Sequence, residues 1–437
     1  MSSRAISQHL RAFRIRPFAR STLRKPVHHS TSWSTPSRCG YSTTIKAPSL
    51  GTDSASQMAS SSWIGHKGAA GFDLRSDTLT TPTAEMLEAI QKCSLNDDVF
   101  NEDKTTIELE AHVAALAGKE AGLLVLSGTM GNQLALRSLL TQPPYSVVCD
   151  HRSHIVKYEA GGVSSLTGAM TLPVIPSNGV HLTQEDITRH AVVDDDVHSC
   201  PTRVISLENT LNGTILPLEE VEKIAAFARK HDIKLHCDGA RLWEAVASGA
   251  GSLAEYCSHF DTISLCFSKG LGAPIGSILV GDKATIKHAR WVRKSIGGGL
   301  RQSGVVAAPA RVAVDTTFGK GPNGEGGLLR TSHETTKKVA KLWSDLGGKF
   351  VHPVQTNMCW LDLKAAGFPE AQFAELGREN GLTLLGGRLV VHYQIAQNEA
   401  EVLPRLEKVF QRVLESPRGQ VQDSQEESPS NMYRAAQ

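Results

Sequence analysis

Short apolar runs alternate with stretches of helical spacing along most of this chain, and that alternation sets the fold expectation. Residues 123–126, 147–150, 204–207, 234–237 and 262–265 are short runs of strand length with no helical period, largely apolar apart from 234–237, where Leu235 and Cys237 alternate with Lys234 and His236. Between them, residues 83–92, 105–116, 133–140 and 217–230 read as helices. In the last of these, Leu218, Val221, Ile224, Ala225 and Ala228 share one face. Glu108 suits a capping box, and Gly118 is placed to end its helix. Strands alternating with helices predict an α/β chain with a mostly parallel sheet. After residue 304 the pattern changes. A helix to about 318 is followed by a glycine-rich run at 319–327, a helix at 333–346, and strands at 358–363 and 388–393. This reads as a large domain over 71–320 and a smaller α+β domain over 321–415.

Open parallel sheets bind ligands outside the carboxyl ends of their strands. The residues just past each run therefore carry the candidate chemistry. Ser127-Gly128-Thr129-Met130-Gly131-Asn132 is a small-residue turn before a helix, a ready anion site through its free N–H groups. His154 follows the second run, Asn209 the third, and Asp238 with Arg241 the fourth. Lys269 follows the fifth and precedes Gly270-Leu271-Gly272. A lysine with apolar residues behind it is partly desolvated, which favours the neutral amine. Such an amine can hold an aldehyde as a Schiff base. Taken singly, each feature also has a plain reading: a solvated loop lysine, a helix-capping acid, a loop histidine. Their convergence on one sheet edge is the signal. A phosphate cradle, a stacking histidine, an acid, an arginine and a strand-end lysine fit pyridoxal 5'-phosphate. The acid would pair with the pyridine nitrogen and the arginine with the phenolate oxygen.

Charge changes the picture at one end. The 437 residues carry a formal net charge of +2, yet residues 1–52 hold nine Lys or Arg and no acid. The remainder is therefore net acidic, which argues against nucleic acid as a partner. Arg4, Arg11, Arg14 and Arg16 interleave with Ile6, Leu10, Phe13 and Ile15, so residues 1–50 read as a mitochondrial transit peptide with a processing site near 38–42. The expected location is the matrix, or the cytoplasm if that segment is not an address. A linker at 51–70 and a disordered polar tail at 416–437 complete the organisation. No apolar run is long enough to span a bilayer, so no membrane partner is expected. The eight cysteines are scattered without metal-ligand spacing, and no metal is expected.

Eight segments in order carry a family resemblance: 73–78 (DLRSDT), 96–103 (NDDVFNED), 127–132 (SGTMGN), 159–162 (EAGG), 208–213 (ENTLNG), 238–241 (DGAR), 268–274 (SKGLGAP) and 297–304 (GGGLRQSG). They resemble the low-specificity threonine aldolases, which have the type I fold of pyridoxal-phosphate enzymes, and the resemblance covers residues 71–415. It implies that Lys269 carries the cofactor and that Asp238 and Arg241 hold its nitrogen and phenolate oxygen. It further implies that His154 stacks on the ring and serves as a base, and that Gly128, Thr129 and Lys294 hold the phosphate. Ser76, Asn209 and Arg388 would grip the substrate carboxylate. The implied reaction takes L-threonine or L-allo-threonine to glycine and acetaldehyde through the lysine Schiff base and a quinonoid, in a homotetramer with sites at dimer interfaces. One departure stands out. Leu211 occupies a position where many bacterial members carry a histidine thought to contact the substrate hydroxyl. A family relative with a different reaction, an alanine racemase, is the alternative this opens. A cofactor-binding protein without catalysis is a third.

Overall fold

The computed structural model describes residues 69–319 and 325–415. The expected transit peptide at 1–50, nearly all of the linker and the tail at 416–437 lie outside the described residues. Seven strands build the main sheet: β1 (Ala121–Val125), β2 (Ser146–Asp150), β3 (Met170–Val174), β4 (Thr202–Glu208), β5 (Lys234–Asp238), β6 (Thr262–Cys266) and β7 (Ser277–Gly281). Their order is β1-β7-β6-β5-β4-β2-β3. Only β7 runs antiparallel to its neighbours, β1 and β6; the other pairs are parallel. The carboxyl ends of β1, β2, β4, β5 and β6 therefore share one edge. Two further strands, β8 (Met358–Trp360) and β9 (Arg388–Val390), pair antiparallel in the C-terminal part.

Helices between the strands bury their apolar faces on the sheet. Val221, Ile224, Ala225 and Ala228 of the helix Leu218–Lys230 are fully buried, with Ile205, Leu235, Ile263 and Val280 in the same cluster. The Val and Ile side chains contribute roughly 1.5–3 kcal/mol each of burial free energy, and each Ala methyl about 0.8 kcal/mol. A second cluster gathers Trp343, Phe373, Leu389 and Phe410, and Leu74 joins it from the N-terminal side. Backbone hydrogen bonds hold Leu74 there, from its N–H to Thr383 and from Val390 N–H to its own carbonyl. The segment that starts at Asp73 is thereby pinned next to β9 before it reaches the sheet edge.

Three local expectations are corrected. The helix Lys104–Leu116 is capped by Asp103, whose carboxylate accepts the Thr106 N–H; Glu108 takes no part in a capping box and lies 3.7 Å from Lys104 on the surface. Residues 128–132 are not a turn but the first turn of the helix Gly128–Leu139, because Ser127 caps it by accepting the Met130 N–H. The helix beginning at Gly304 is α-helical only to Ala313 and continues as a π-helix over Val314–Phe318.

Candidate active site

The edge formed by the strand ends collects most of the candidate residues. Lys269 sits three residues past β6, in a turn closed by hydrogen bonds from Gly272 N–H to Lys269 O and from Ala273 N–H to Phe267 O. Gly272 adopts φ +86°, and a Cβ there would lie 2.6 Å from the Tyr393 hydroxyl, so the turn requires glycine. Lys269 is half-buried, and its charge acts on Asp77, His154 and Glu208. A primary amine is thus held among acids and an imidazole.

Asp238 ends β5 and is 3% exposed. Its Oδ1 accepts the Ala240 N–H at 3.1 Å and its Oδ2 accepts from Asn132 Nδ2 at 2.7 Å. Glu208 ends β4 directly beside it in register. Burial and the neighbouring Asp238 charge push Glu208 up to about 8, against the pull of the His154 N–H that its Oε2 accepts at 2.8 Å. His154 opens the short helix His154–Lys157, past β2. Its Nδ1 lies 2.9 Å from Glu159 Oε1. Burial works against protonation of this imidazole, but the Glu159 bond and the Asp238 charge outweigh it and raise its pKa. Ligand atoms of His154, Glu159 and Asp238 all lie within 4.8 Å of one another.

At the other flank Arg241 does not pair with Asp238, three residues before it. It forms a two-point bond to Asp77, Nε to Oδ2 at 2.8 Å and Nη2 to Oδ1 at 2.6 Å. Burial opposes the charge on Asp77, yet Arg241, Lys269 and Arg388 together hold it down at about 2. Arg388 begins β9, donates from Nη2 to the Arg75 carbonyl at 2.7 Å and lies over the Trp360 ring. Ser76 is the next residue, with its hydroxyl accepting from Thr78. Ser76, Arg241, Arg388 and Lys269 are therefore brought together by the N-terminal segment.

Two candidates are placed differently. Asn209 is buried, and its amide bonds the Leu216 backbone on both sides, Nδ2 to the carbonyl and Oδ1 from the N–H. That pins the loop after β4 rather than opening the amide to a ligand. Lys294 is exposed in the last turn of the helix Lys283–Ser295, where its chain packs against Gly299. The adjacent Arg293 is the buried one, bonded to Asp98 and to the Leu124 carbonyl. Sequence reasoning gave no role to Asp77, Asn132, Glu159 or Glu208. All four lie inside the quoted motifs, and motif membership was the available signal.

The donor set fits pyridoxal phosphate. The first N–H groups of a helix have no intrahelical partner, and at Gly128 and Thr129 such groups face the edge where a phosphate can be held. A buried carboxylate at Asp238 suits a protonated ring nitrogen, and Lys269 supplies the amine for the aldehyde.

Comparison with known proteins agrees. The family model for beta-eliminating lyases matches residues 73–366. An aldolase named vrtJ from Penicillium aethiopicum is 53% identical over 80% of this chain and 88% of its own. The alanine racemase TOXG from Cochliobolus carbonum is 47% identical over 78% of this chain and 87% of its own. A low-specificity L-threonine aldolase from Eremothecium gossypii is 45% identical over 84% and 93%. Among solved structures, threonine aldolase from Leishmania major superposes with a TM-score of 0.66 at 20% identity, over 78% of this chain and 99% of its own. With the family model spanning most of the folded region and relatives this similar, the chain belongs to the beta-eliminating lyase/threonine aldolase family of pyridoxal-phosphate-dependent fold type I enzymes.

Proposed function

We propose that this protein cleaves L-threonine and L-allo-threonine to glycine and acetaldehyde. The observation that carries this reading is the grouping of Ser76, Arg241 and Arg388 around Asp77 beside Lys269, opposite an imidazole steered by Glu159. One flank suits an amino-acid carboxylate and the other a proton acceptor. The aldolase relatives support the same reading.

When bound, pyridoxal phosphate supplies the electron sink for the broken bond. Lys269 would anchor it, Asp238 its ring nitrogen, and Gly128 and Thr129 its phosphate. Arg388 and Ser76 hold the substrate carboxylate, which orients the Cα–Cβ bond for cleavage. With Nδ1–H donated to Glu159, His154 presents Nε2 as an acceptor for the β-hydroxyl proton. The Lys269 amine would also be placed to return a proton to Cα.

A second reading, alanine racemisation, has one observation in its favour. Leu211 is 7% exposed and borders a small cavity with Glu208 and His181, and its apolar side chain can give the β-hydroxyl no polar contact. The racemase relative supports that alternative. Acetaldehyde release from both threonine isomers, measured beside D-alanine formation from L-alanine, separates the two. D-alanine without acetaldehyde would replace the aldolase reading.

A homotetramer with sites at subunit boundaries belongs to the proposal. Phe100, Trp291 and Leu95 are large apolar side chains 71%, 67% and 63% exposed, which suits a covered surface. Mitochondrial matrix location is proposed from the basic, acid-free residues 1–50; import of a tagged full chain tests it.

A further inference from the structure

One fully buried residue joins the two acids of the site, and the mechanism above gives it no task. Asn132, on the helix Gly128–Leu139, is 0% exposed. Its Nδ2 donates to Asp238 Oδ2 at 2.7 Å and to Glu159 Oε1 at 2.9 Å. Its Oδ1 lies 3.0 Å from His236 Nε2, and His236 Nδ1 lies 3.0 Å from the Thr262 hydroxyl. Ionised carboxylates only accept hydrogen bonds, so the amide NH2 must face the two acids. Oδ1 then faces His236, which must carry its proton on Nε2 and accept the Thr262 hydroxyl at Nδ1. Burial keeps this imidazole neutral, at about 4, as that arrangement demands. The chain runs from Thr262 through His236 to Asn132 and forks there. One arm ends on Asp238, the other on Glu159 and, through Glu159, on His154 Nδ1. Thr262, His236, Asn132, Asp238 and Glu159 are all buried.

We propose that Asn132 is a positioning residue that yokes Asp238 and Glu159, keeping two adjacent carboxylates aimed at different targets. Asp238 would face the ring nitrogen and Glu159 fixes the imidazole of His154, so one amide sets both. Without that NH2, Asp238 Oδ2 and Glu159 Oε1 lose their shared donor inside the core. The inference rests on the pyridoxal-phosphate reading above.

The test uses the full chain and the variants Asn132→Leu and Asn132→Asp. Circular dichroism establishes folding, and added pyridoxal phosphate is titrated by visible absorbance. Asn132→Leu is expected to bind the cofactor at least about tenfold more weakly, since Asp238 Oδ2 loses the donor that holds it. In the cofactor-free protein, the His154 imidazole followed by NMR should titrate lower, because Glu159 is no longer held against it. The acid limb of kcat/KM for acetaldehyde release, set by the same imidazole acting as base, is expected to move down with it. In a Glu159→Gln background, Asn132→Leu should no longer move the acid limb, since the carboxylate that the amide aims at His154 is gone. If Asn132→Leu fails to fold, Asn132→Asp carries the test through cofactor affinity, which should fall because a carboxyl offers at most one hydrogen to the two acids. A folded variant with cofactor affinity within twofold of wild type and an unmoved acid limb overturns the proposal. A folded wild-type protein that takes up no pyridoxal phosphate fails the underlying reading instead, and a retained His154 shift in the cofactor-free variant distinguishes that case.

Discussion

Replacing Asp77 by asparagine keeps its shape and removes only its charge. Asp77 is fully buried and Arg241 is 14% exposed at its side chain, so the two-point pair lies almost entirely out of water. Burial raises the carboxyl, but Arg241, Lys269 and Arg388 bring it from 3.8 to about 2. That depression is worth roughly 2–3 kcal/mol of folding free energy at neutral pH, at 1.36 kcal/mol per pKa unit. Because the folded value lies below the unfolded one, the contribution is fully present above about pH 4 and fades as pH falls towards 2. Asp77→Asn forfeits it and strands a buried guanidinium, so the total loss should reach about 3–5 kcal/mol. Urea unfolding of the cofactor-free protein at pH 7 measures it. A second variant, Asp77→Asn with Arg241→Met, should regain part of the loss because no charge is left uncompensated. An Asp77→Asn protein within about 0.5 kcal/mol of wild type, or a gap that widens as pH is lowered from 5 to 3, would refute the argument.

Glu208 has the opposite linkage. Its folded pKa is raised to about 8, so the folded state binds the extra proton and stability falls as pH rises from about 4.5 to 8. Glu208→Gln should flatten that fall in unfolding experiments across this window; an unchanged slope would show that Glu208 is ionised throughout. Burial raises the thiols of Cys149, Cys257 and Cys359 to about 12, and Cys237 and Cys266 are raised as well. Iodoacetamide at pH 8 should label Cys200 and, more slowly, Cys93, both half-buried, before these five. Rapid native-state labelling of Cys149 or Cys237 would contradict the burial of β2 and β5.

The strand-end logic was legible because β2, β4 and β6 carry short apolar stretches (Val-Val-Cys, Val-Ile-Ser-Leu, Ile-Ser-Leu-Cys) that suit strands buried on both faces, while β5 reads Lys-Leu-His-Cys-Asp. β3 was not: it reads Met-Thr-Leu-Pro-Val, is partly exposed and lies at the sheet margin, where a proline is tolerated. β7 follows β6 without a crossover helix, and the glycines before it hid its start. The helix at Gly128 was read late because small residues imitate a turn when the Ser127 cap is overlooked. The motifs that reach the sheet edge were legible, but the long-range bonds among their residues were not. Arg241 meets Asp77 across 164 positions, and Arg388 meets Arg75 across 313. No periodicity reports contacts of that range. Likewise, Asn132 joins Asp238 across 106 positions, a link that only the folded sheet edge creates.

The account stands on Lys269 as the covalent anchor of the cofactor. Borohydride reduction of the holoenzyme, followed by proteolysis and mass spectrometry of the peptides, locates that anchor. The modification is expected on the peptide carrying Lys269 and on no other, and Lys269→Ala should lose both it and the visible absorbance of the bound cofactor. Modification at Lys294 or another lysine, with Lys269 unmodified, would contradict the assignment of the whole sheet edge.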